Sequence, residues 1–264
     1  MASIDTAKLA FIGGGNMAGA IIGGLLARGI PPTHITVAEP YEPNRTKLAE
    51  RGVHTTTDNG AAARGADLVV LAVKPQVAQT ACGDLVAAWG PAGETASALP
   101  LVPARVDDDG TPALVGEGAA GLYAPAGDGA ITTTERQLAT ALLQSVSKAA
   151  EWVDKEELLD VVTGLSGSGP AYFFAMVEHL IDRATALGLP REQASRLAKQ
   201  TCLGAGKMLV ESSDDAGQLR KNVTSPNGTT HAALVSLEKD GFAEIVGKAV
   251  EAATTRATEL GKTA

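Results

Sequence analysis

The sequence has few of the residues that dominate several common kinds of functional site. Its 264 residues include two cysteines, four histidines and 3% aromatics, and its formal net charge is −8. Because nucleic-acid phosphates are bound by clustered lysine and arginine, this acidic balance argues against nucleic acid as the main partner. Cys82 and Cys202 lie far apart, without a CxxC motif or a histidine at metal-ligand spacing. We therefore expect reduced thiols and no metal site.

Long apolar runs are lacking as well. The apolar stretch near the N-terminus is interrupted by glycines and by Asn16, so it does not have the hydrophobic core of a signal peptide. No stretch reaches the about 18 apolar residues of a membrane helix. We therefore expect a cytoplasmic protein with no membrane partner. The length allows one large domain or two modest ones.

Short apolar runs alternate with helix-like segments in the first half of the chain. The runs are KLAFIG (8–13), ITVAE (35–39), VHTTTD (53–58) and DLVVLAV (67–73). Short runs this apolar are typical of parallel strands that are covered on both faces. Segments with helical character lie between them, at 16–28, 43–51 and 76–89. This alternation predicts an α/β fold with a Rossmann-like, doubly wound and mostly parallel sheet.

The second half of the chain has a different pattern. ERQLATALLQSVS reads as a helix and KAAEWV as one last strand, and only helical patterns follow Asp154. These predict helices at 171–187, 190–209, 216–222, 230–239 and 242–260. We expect a dinucleotide-binding domain at 1–153 and an all-helical domain at 154–264. The broad apolar faces of these helices favour a homodimer.

A glycine-rich loop follows the first predicted strand. Gly13, Gly15 and Ala18 form a G-x-G-x-x-A motif that opens a helix. The first glycine permits the tight turn, the second lets a pyrophosphate approach the backbone, and the alanine allows close packing of the helix on the sheet. The N-terminus of the helix, with Asn16 and Met17, offers N–H groups and a partial positive charge to phosphates. The motif predicts binding of NADH or NADPH.

The ends of the other strands supply further candidate cofactor residues. Glu39 ends the second strand, where a carboxylate binds the ribose hydroxyls of NAD and repels the 2′-phosphate of NADP. Arg45 and Lys47 lie nearby and offset that repulsion in part, so the preference between the two cofactors stays open. Ligands bind beyond the carboxyl ends of strands in such sheets. This places further candidates after the third and fourth strands, namely Asn59, Ala72, Val73, Lys74 and Pro75.

Two more loops rich in glycine and hydroxyl residues precede helices in the second half. One is Ser166-Gly167-Ser168-Gly169-Pro170, and the other runs from Thr224 to Thr230 and reads TSPNGTT. Helix N-termini with accessible N–H groups suit a small anion such as a carboxylate. The alternative is that each loop is a turn capped by a serine or threonine side chain.

No residue stands out as a general acid. The histidines form no triad and no HExxH motif, and His231 is the one that lies near a candidate loop. A redox enzyme of this kind fits a substrate that needs little proton chemistry. A protonated imine is such a substrate, because a hydride attacks its activated carbon while a hydroxyl orients its nitrogen.

Several segments, in this order, resemble the pyrroline-5-carboxylate reductase family. They are FIGGGNMAGAIIGGLL, LAVKPQ, TPALVGEG, SGSGPAYFF, GLPREQASRLAKQTCLGAGKML and VTSPNGTT. The resemblance implies reduction of the cyclic imine Δ1-pyrroline-5-carboxylate to L-proline with NADPH or NADH, the last step of proline biosynthesis. It also implies a Rossmann domain, a helical domain that dimerises by interlocking helices, and dimers that assemble into decamers.

The resemblance assigns roles to the residues of both hydroxyl-rich loops. It implies that Thr230 hydrogen-bonds the ring nitrogen and that backbone groups around Gly228 and Thr229 hold the substrate carboxylate. Ser225 and residues 166–170 complete the pocket, which lies where the two domains and two subunits meet. Asn227 stands where the family has a glycine, and because asparagine tolerates left-handed backbone we expect the turn to be kept.

One segment departs from the family pattern. Residues 91–110 are shorter than in the family and contain Asp107, Asp108 and Asp109, which are poor neighbours for a dinucleotide. Two alternatives therefore remain open. The chain could bind a dinucleotide without turnover, disabled in 91–110. It could also be a related β-hydroxy-acid dehydrogenase, for which Lys199 and Lys207 are available as proton acceptors.

Overall fold

The computed structural model describes residues 3–89, 111–125 and 131–263. Packing divides the chain into two compact units, Met1–Gly167 with Thr254–Ala264, and Ser168–Ala253. The sequence places the boundary between residues 153 and 154, so the first unit extends further along the chain than the predicted domain and also takes in the C-terminal residues. The segment 91–110, which departs from the family pattern, lies outside the described residues.

The first unit is built on a four-stranded parallel sheet. Its strands are β1 (Leu9–Ile12), β2 (Ile35–Ala38), β3 (His54–Thr56) and β4 (Leu68–Leu71), in the order β3-β2-β1-β4. In the register, Ile12 lies opposite both Ala38 and Leu71. The carboxyl ends of the strands therefore meet at one edge of the sheet, and the predicted Rossmann-like architecture is confirmed.

Helices cover both faces of this sheet. They are α1 (Asn16–Ala27), α2 (Glu42–Ala49), α3 (Asn59–Ala63) and α4 (Pro75–Trp89). Alternate residues of β1 point to opposite faces: Leu9 and Phe11 join the core that contains α1, and Ala10 and Ile12 join the core that contains α3 and α4. β1, β2 and β4 are mainly apolar because both of their faces are covered, whereas β3, at the edge of the sheet, consists of a histidine and two threonines that are exposed or half-buried.

A second, two-stranded sheet completes the first unit. Strands β5 (Gly118–Leu122) and β6 (Ser147–Trp152) run parallel and are joined through α5 (Thr133–Leu143). The sequence predicts β6 but not β5. Helix α5 begins with a capping box, in which the hydroxyl of Thr132 accepts from the Glu135 N–H and the Glu135 carboxylate accepts from the Thr132 N–H. Helix α6 (Leu158–Val162) and a π-helical turn (Thr163–Gly167) follow.

The second unit is helical in all of its elements, as predicted. It contains α7 (Gly169–Ala186), α8 (Arg191–Glu211), α9 (Ala216–Asn222), α10 (Thr229–Lys239) and the first part of α11 (Phe242–Thr263). Gly188 ends α7 in the left-handed region, with φ +101°, and Pro190 precedes α8. Helices α7 and α8 pack on each other. Within the described ranges, no helix combines the length and the hydropathy that a membrane span needs.

Candidate active site

The glycine-rich loop lies between the ends of β2 and β4. The Gly13 N–H donates to the Ala38 carbonyl over 2.8 Å, and Gly13 has φ +100°. A Cβ atom on this residue would lie 2.5 Å from the Ala72 carbonyl oxygen and 3.0 Å from Val73 Cγ1. Both the backbone conformation and this close approach therefore require glycine at the position.

The loop continues into the first turn of α1. Gly15 precedes the helix without a capping side chain, and a Cβ atom there would meet no atom within 4 Å. The first N–H groups of α1 have no acceptor within the helix, and its first turn carries no acidic residue. Met17 and Ala18 are buried in the core beneath the loop, which packs α1 against the sheet. The geometry suits a pyrophosphate.

An open groove of about 770 Å³ begins at this loop and follows α1. Its described lining contains Arg28, Lys47 and Arg51 but no carboxylate, and the Arg51 guanidinium donates to the Gly19 carbonyl over 3.1 Å. Sequence reasoning did not single out Arg28 or Arg51. Lys47 lies on α2, whereas Arg51 follows the end of that helix at Ala49, so no helix-face spacing in the sequence identifies Arg51.

Glu39 connects the end of β2 to the glycine-rich loop. Its Oε2 accepts from the Gly14 N–H over 2.6 Å, and its Oε1 accepts from the Tyr41 N–H over 2.8 Å. The structure therefore brings this predicted cofactor residue into direct contact with the loop. The Arg45 guanidinium donates to the carbonyls of Glu39 and Pro40, at 2.9 and 2.7 Å, and so holds the turn that follows β2.

The ends of β3 and β4 provide the remaining predicted cofactor residues. The Asn59 side-chain amide donates to Asp84 over 2.9 Å, so this residue ties α3 to α4. Sequence reasoning did not identify Asp84 as its partner. Ala72 follows β4 and its N–H donates to the Ile12 carbonyl over 2.8 Å, which places it beside Gly13. Lys74 is exposed immediately before α4, which begins at Pro75.

The predicted anion loop at residues 166–170 is not an open loop. Ser166 belongs to the π-helical turn, and its hydroxyl donates to the Val162 carbonyl over 3.0 Å. Ser168 stands at the start of α7 without a side-chain capping bond, and Gly169 and Pro170 are the first residues of that helix. The sequence misses this helical course because glycine and serine favour loops when no neighbouring structure fixes them.

The second predicted anion loop keeps the expected turn. Asn227 has φ +58°, which confirms the left-handed backbone expected of it. The Gly228 N–H donates to the Ser225 carbonyl over 3.0 Å, and Gly228 precedes α10 without a side-chain capping bond. The first N–H groups of α10, including those of Thr229 and Thr230, therefore lack an acceptor in the helix. The alternative of a turn capped by a side chain does not describe either helix start.

The site residues fall into groups that the structure brings together to different degrees. Gly13, Glu39 and Ala72 are joined by direct contacts through the glycine-rich loop and the strand ends. Within the second unit, the described hydrogen bonds do not join residues 168–170 to residues 225–230. In the described part of the chain, Cys82 and Cys202 are free thiols, and no three His, Cys, Asp or Glu side chains lie close enough to hold a metal ion.

Comparison with known proteins accounts for both halves of the chain. A family model described as pyrroline-5-carboxylate reductase dimerisation matches residues 156–260. A second model, described as NADP oxidoreductase, coenzyme F420-dependent, matches residues 8–92. The chain is 40% identical to a pyrroline-5-carboxylate reductase of Pseudomonas aeruginosa, with 98% of each chain covered. That alignment spans 273 positions, more than the 264 residues of this chain, so the relative contains residues that this chain lacks.

Solved structures agree with this assignment. A pyrroline-5-carboxylate reductase from Coxiella burnetii is 37% identical and superposes with a TM-score of 0.87, covering 97% of this chain and 98% of its own. The Plasmodium falciparum pyrroline carboxylate reductase with NADP bound is 28% identical, with a TM-score of 0.78 and coverage of 98% and 100%. The full-length identity and the shared fold show that this chain belongs to the pyrroline-5-carboxylate reductase family.

Proposed function

We propose that this protein reduces Δ1-pyrroline-5-carboxylate to L-proline with NADH or NADPH, the last step of proline biosynthesis. The observation that carries the proposal is the continuous similarity to enzymes of that name, which covers 98% of the chain at 40% identity. Both the nucleotide half and the helical half therefore resemble the same enzyme. Similarity confined to the nucleotide half would not indicate any particular substrate.

The first unit fits a nicotinamide dinucleotide. Gly13 permits the tight turn and Gly15 leaves open space at the N-terminus of α1, where we propose that the pyrophosphate binds, and we propose that Glu39 holds the adenine ribose. Ala72, Val73, Lys74 and Pro75 follow β4 on the same edge of the sheet, and we propose that they line the cofactor site with Asn59. When bound, the cofactor supplies the hydride that adds to the imine carbon. The protonated ring nitrogen becomes the amine of proline.

The N-terminus of α10 fits the substrate. Its first N–H groups lack acceptors within the helix, and a carboxylate is the charge that such a helix end stabilises. We propose that the backbone at Gly228 and Thr229 holds the carboxylate and that the Thr230 hydroxyl accepts from the ring N–H. Ser225 and residues 166–170 complete the pocket in this proposal.

No described observation favours the two alternatives. A β-hydroxy-acid dehydrogenase needs a proton acceptor held in the site, whereas Lys199 and Lys207 both lie exposed along α8. The non-catalytic alternative rests on 91–110, which lies outside the described residues. His231 is exposed near the N-terminus of α10, and the imine reaction requires no acid from it.

The assembly is a homo-oligomer, since the dimerisation model matches 156–260. That match begins close to the predicted boundary and supports our proposal of domains at 1–153 and 154–264. We further propose that dimers assemble into decamers in the cytoplasm, as the resemblance implies. Light scattering of the purified protein distinguishes a dimer from a decamer, and fractionation of cells tests the location.

Steady-state kinetics with two ring substrates tests the proposal. Purified protein is assayed for oxidation of NADH and NADPH with pyrroline-5-carboxylate and with 1-pyrroline, the same ring without a carboxylate. Because each hydrogen bond to a charged group contributes about 1.5–3 kcal/mol, we expect kcat/KM for 1-pyrroline to be at least about tenfold lower. Equal values for the two rings would contradict the carboxylate site, and no oxidation with either would contradict the reductase.

A further inference from the structure

The predicted anion loop at residues 166–170 begins inside a π-helical turn. That turn, Thr163–Gly167, follows α6 directly, and Ser168 keeps a helical backbone at φ −81° and ψ −18° before α7 begins. A π turn closes its hydrogen bonds over five residues rather than four, and such turns are frequent at functional sites. The turn therefore sets the helical register of the residues with which the loop begins.

Two hydroxyl groups support the π turn from within. The Thr163 hydroxyl donates to the Leu159 carbonyl over 2.9 Å, and the Ser166 hydroxyl donates to the Val162 carbonyl over 3.0 Å. Because one residue of an α-helix corresponds to a rotation of about 100°, a return to α-helical register would turn the end of the loop by about that angle. The register depends on how firmly α6 is held.

An apolar contact holds α6 against the second sheet. Val162 is the last residue of the helix, and a Cβ atom on Gly121 of β5 would lie 2.9 Å from both Cγ atoms of this valine. The strand and the helix are therefore in close contact immediately before the π turn. Apolar contacts set the spacing of two elements but are not directional, whereas hydrogen bonds are.

A directional contact to α6 comes from the C-terminal helix. The Thr258 hydroxyl on α11 donates to Oδ2 of Asp160 on α6 over 2.8 Å, although the two residues lie 98 positions apart in the sequence. Both belong to the first compact unit, and both are half-buried. Ala257, next to Thr258, is buried. Hydrogen bonds to an ionised carboxylate are about twice as strong as neutral ones, so this contact resists rotation of α6.

We propose that Asp160 and Thr258 are positioning residues for the proposed reaction. Their hydrogen bond fixes the rotation of α6, and the π turn then presents Ser166 and Gly167 to the substrate. The inference rests on the proposed function, since the pocket concerned is the one for pyrroline-5-carboxylate. Neither positioning residue touches the substrate in this proposal. Loss of the bond should therefore weaken substrate binding and leave dinucleotide binding at the glycine-rich loop unchanged.

Substitutions of Thr258 separate positioning from stability. Thr258→Val removes the hydroxyl donor and keeps the branched shape, and we expect KM for pyrroline-5-carboxylate to rise at least about fivefold with kcat within about twofold. Thr258→Ser keeps the hydroxyl and should bring KM back to within about twofold of the unsubstituted protein. A merely structural role would lower the temperature of unfolding of Thr258→Val and leave KM unchanged.

Substitutions of Asp160 test whether the two residues act through one bond. Asp160→Ala removes the acceptor and should also raise KM. Adding Thr258→Val to Asp160→Ala should then raise KM by less than about twofold, because the bond is already lost. A further rise as large as in the single variant would contradict the coupling. Asp160→Asn keeps an acceptor oxygen, so we expect a smaller rise in KM than in Asp160→Ala.

Thr255→Val is the matched control, since it makes the same change at an exposed threonine of α11. We expect its KM and kcat to stay within about twofold of the unsubstituted values. Kinetics with varied pyrroline-5-carboxylate at saturating NADH gives KM and kcat, and fluorescence titration gives the Kd for NADH. An unchanged KM in Thr258→Val, while the unsubstituted protein reduces pyrroline-5-carboxylate, would overturn the inference alone. No reduction by the unsubstituted protein would overturn the proposed function and the inference with it.

Discussion

The two compact units bury their apolar residues to very different extents. The first unit contains fully buried side chains on both faces of its main sheet, among them Phe11, Ile22 and Leu85. In the second unit the buried residues among those described are Gly169, Ile181 and Ala194. Phe174, at 62% exposed, and Leu203, at 54%, are typical of the rest of its apolar side chains.

This difference shows that the two units obtain their stability in different ways. The first unit has its own hydrophobic core, which a domain needs to fold alone. The second unit presents apolar surface that monomeric domains rarely leave exposed, and such surface marks an interaction site. A second copy of the same helices is the partner that the dimerisation model at 156–260 supports. We therefore expect substitutions in the second unit to change the oligomeric state and substitutions in the first unit to change the stability of the fold.

Charged substitutions in the second unit should have the largest effect. Leu203→Arg on α8 or Phe174→Arg on α7 would bury an unpaired charge in an apolar interface, which costs several kcal/mol. We expect the oligomer to dissociate and kcat/KM to fall at least about 100-fold. Light scattering after gel filtration measures the mass, and steady-state kinetics measures the activity.

A matched substitution in the first unit is the control. Val86 on α4 is 66% exposed, and Val86→Arg should leave both the mass and the activity unchanged. If all three variants kept the mass of the unsubstituted protein, the exposed apolar side chains of α7 and α8 would not form the interface. Dissociation by Val86→Arg would likewise contradict the division between the units.

A glycine pair in the first unit should give an intermediate effect. Gly13 and Gly29 both have positive φ, +100° and +91°, but only at Gly13 would a Cβ atom meet a neighbour within 4 Å. Gly29→Ala should cost about 1–2 kcal/mol of unfolding free energy from backbone strain alone. Gly13→Ala adds overpacking against Ala72, for about 2–4 kcal/mol in total, and weakens dinucleotide binding.

Denaturant unfolding measures both glycine variants, and fluorescence titration measures their affinity for NADH. Because Gly13 and Gly29 belong to the first unit, neither substitution should change the mass of the oligomer. Equal losses of stability at the two positions would show that the backbone at the end of β4 shifts to accommodate a side chain at Gly13. The close approach to the Ala72 carbonyl would then not explain the glycine.

The smallest effect is expected at Asn227. This residue has φ +58° in the turn before α10, where asparagine and glycine are both tolerated. Asn227→Gly should change the free energy of unfolding by less than about 0.5 kcal/mol, whereas Asn227→Val should cost about 1–2 kcal/mol. Thermal unfolding of the oligomer at fixed concentration measures both. Similar stability of the valine variant would argue against the left-handed backbone.

The fold could be predicted from the sequence where burial dictates the pattern. β1, β2 and β4 were predicted because both of their faces are covered, which leaves runs of apolar residues. β5 was missed because its sequence, GAAGL, consists mainly of small residues with low strand propensity. Gly121 is needed there, since a Cβ atom on it would lie 2.9 Å from the Val162 side chain. Contacts between distant segments set this strand.

The candidate site was predictable to different degrees in its two halves. Gly13, Gly15 and Glu39 follow strands at positions that the topology fixes, so motif reasoning identified them. The course of residues 163–167 was not predictable from composition, because the Thr163 and Ser166 hydroxyls donate to carbonyls four residues back and support a π-helical turn. Arg51 reaches the groove from the turn that follows α2, through a contact with Gly19 that no local pattern specifies.

The most direct test of the account compares the unsubstituted protein with Thr230→Ala and with Thr133→Ala, which removes an exposed threonine at the start of α5. Each is assayed for NADH oxidation with pyrroline-5-carboxylate and titrated with NADH. Loss of a hydrogen bond to a charged group costs about 1.5–3 kcal/mol, and misorientation of the ring adds to it. The account predicts that Thr230→Ala lowers kcat/KM at least about 100-fold while the Kd for NADH stays within twofold, and that Thr133→Ala changes neither. Undiminished turnover in Thr230→Ala would contradict the role of this threonine. An unsubstituted protein that is folded and binds NADH, but never oxidises it when pyrroline-5-carboxylate is added, would contradict the reductase activity.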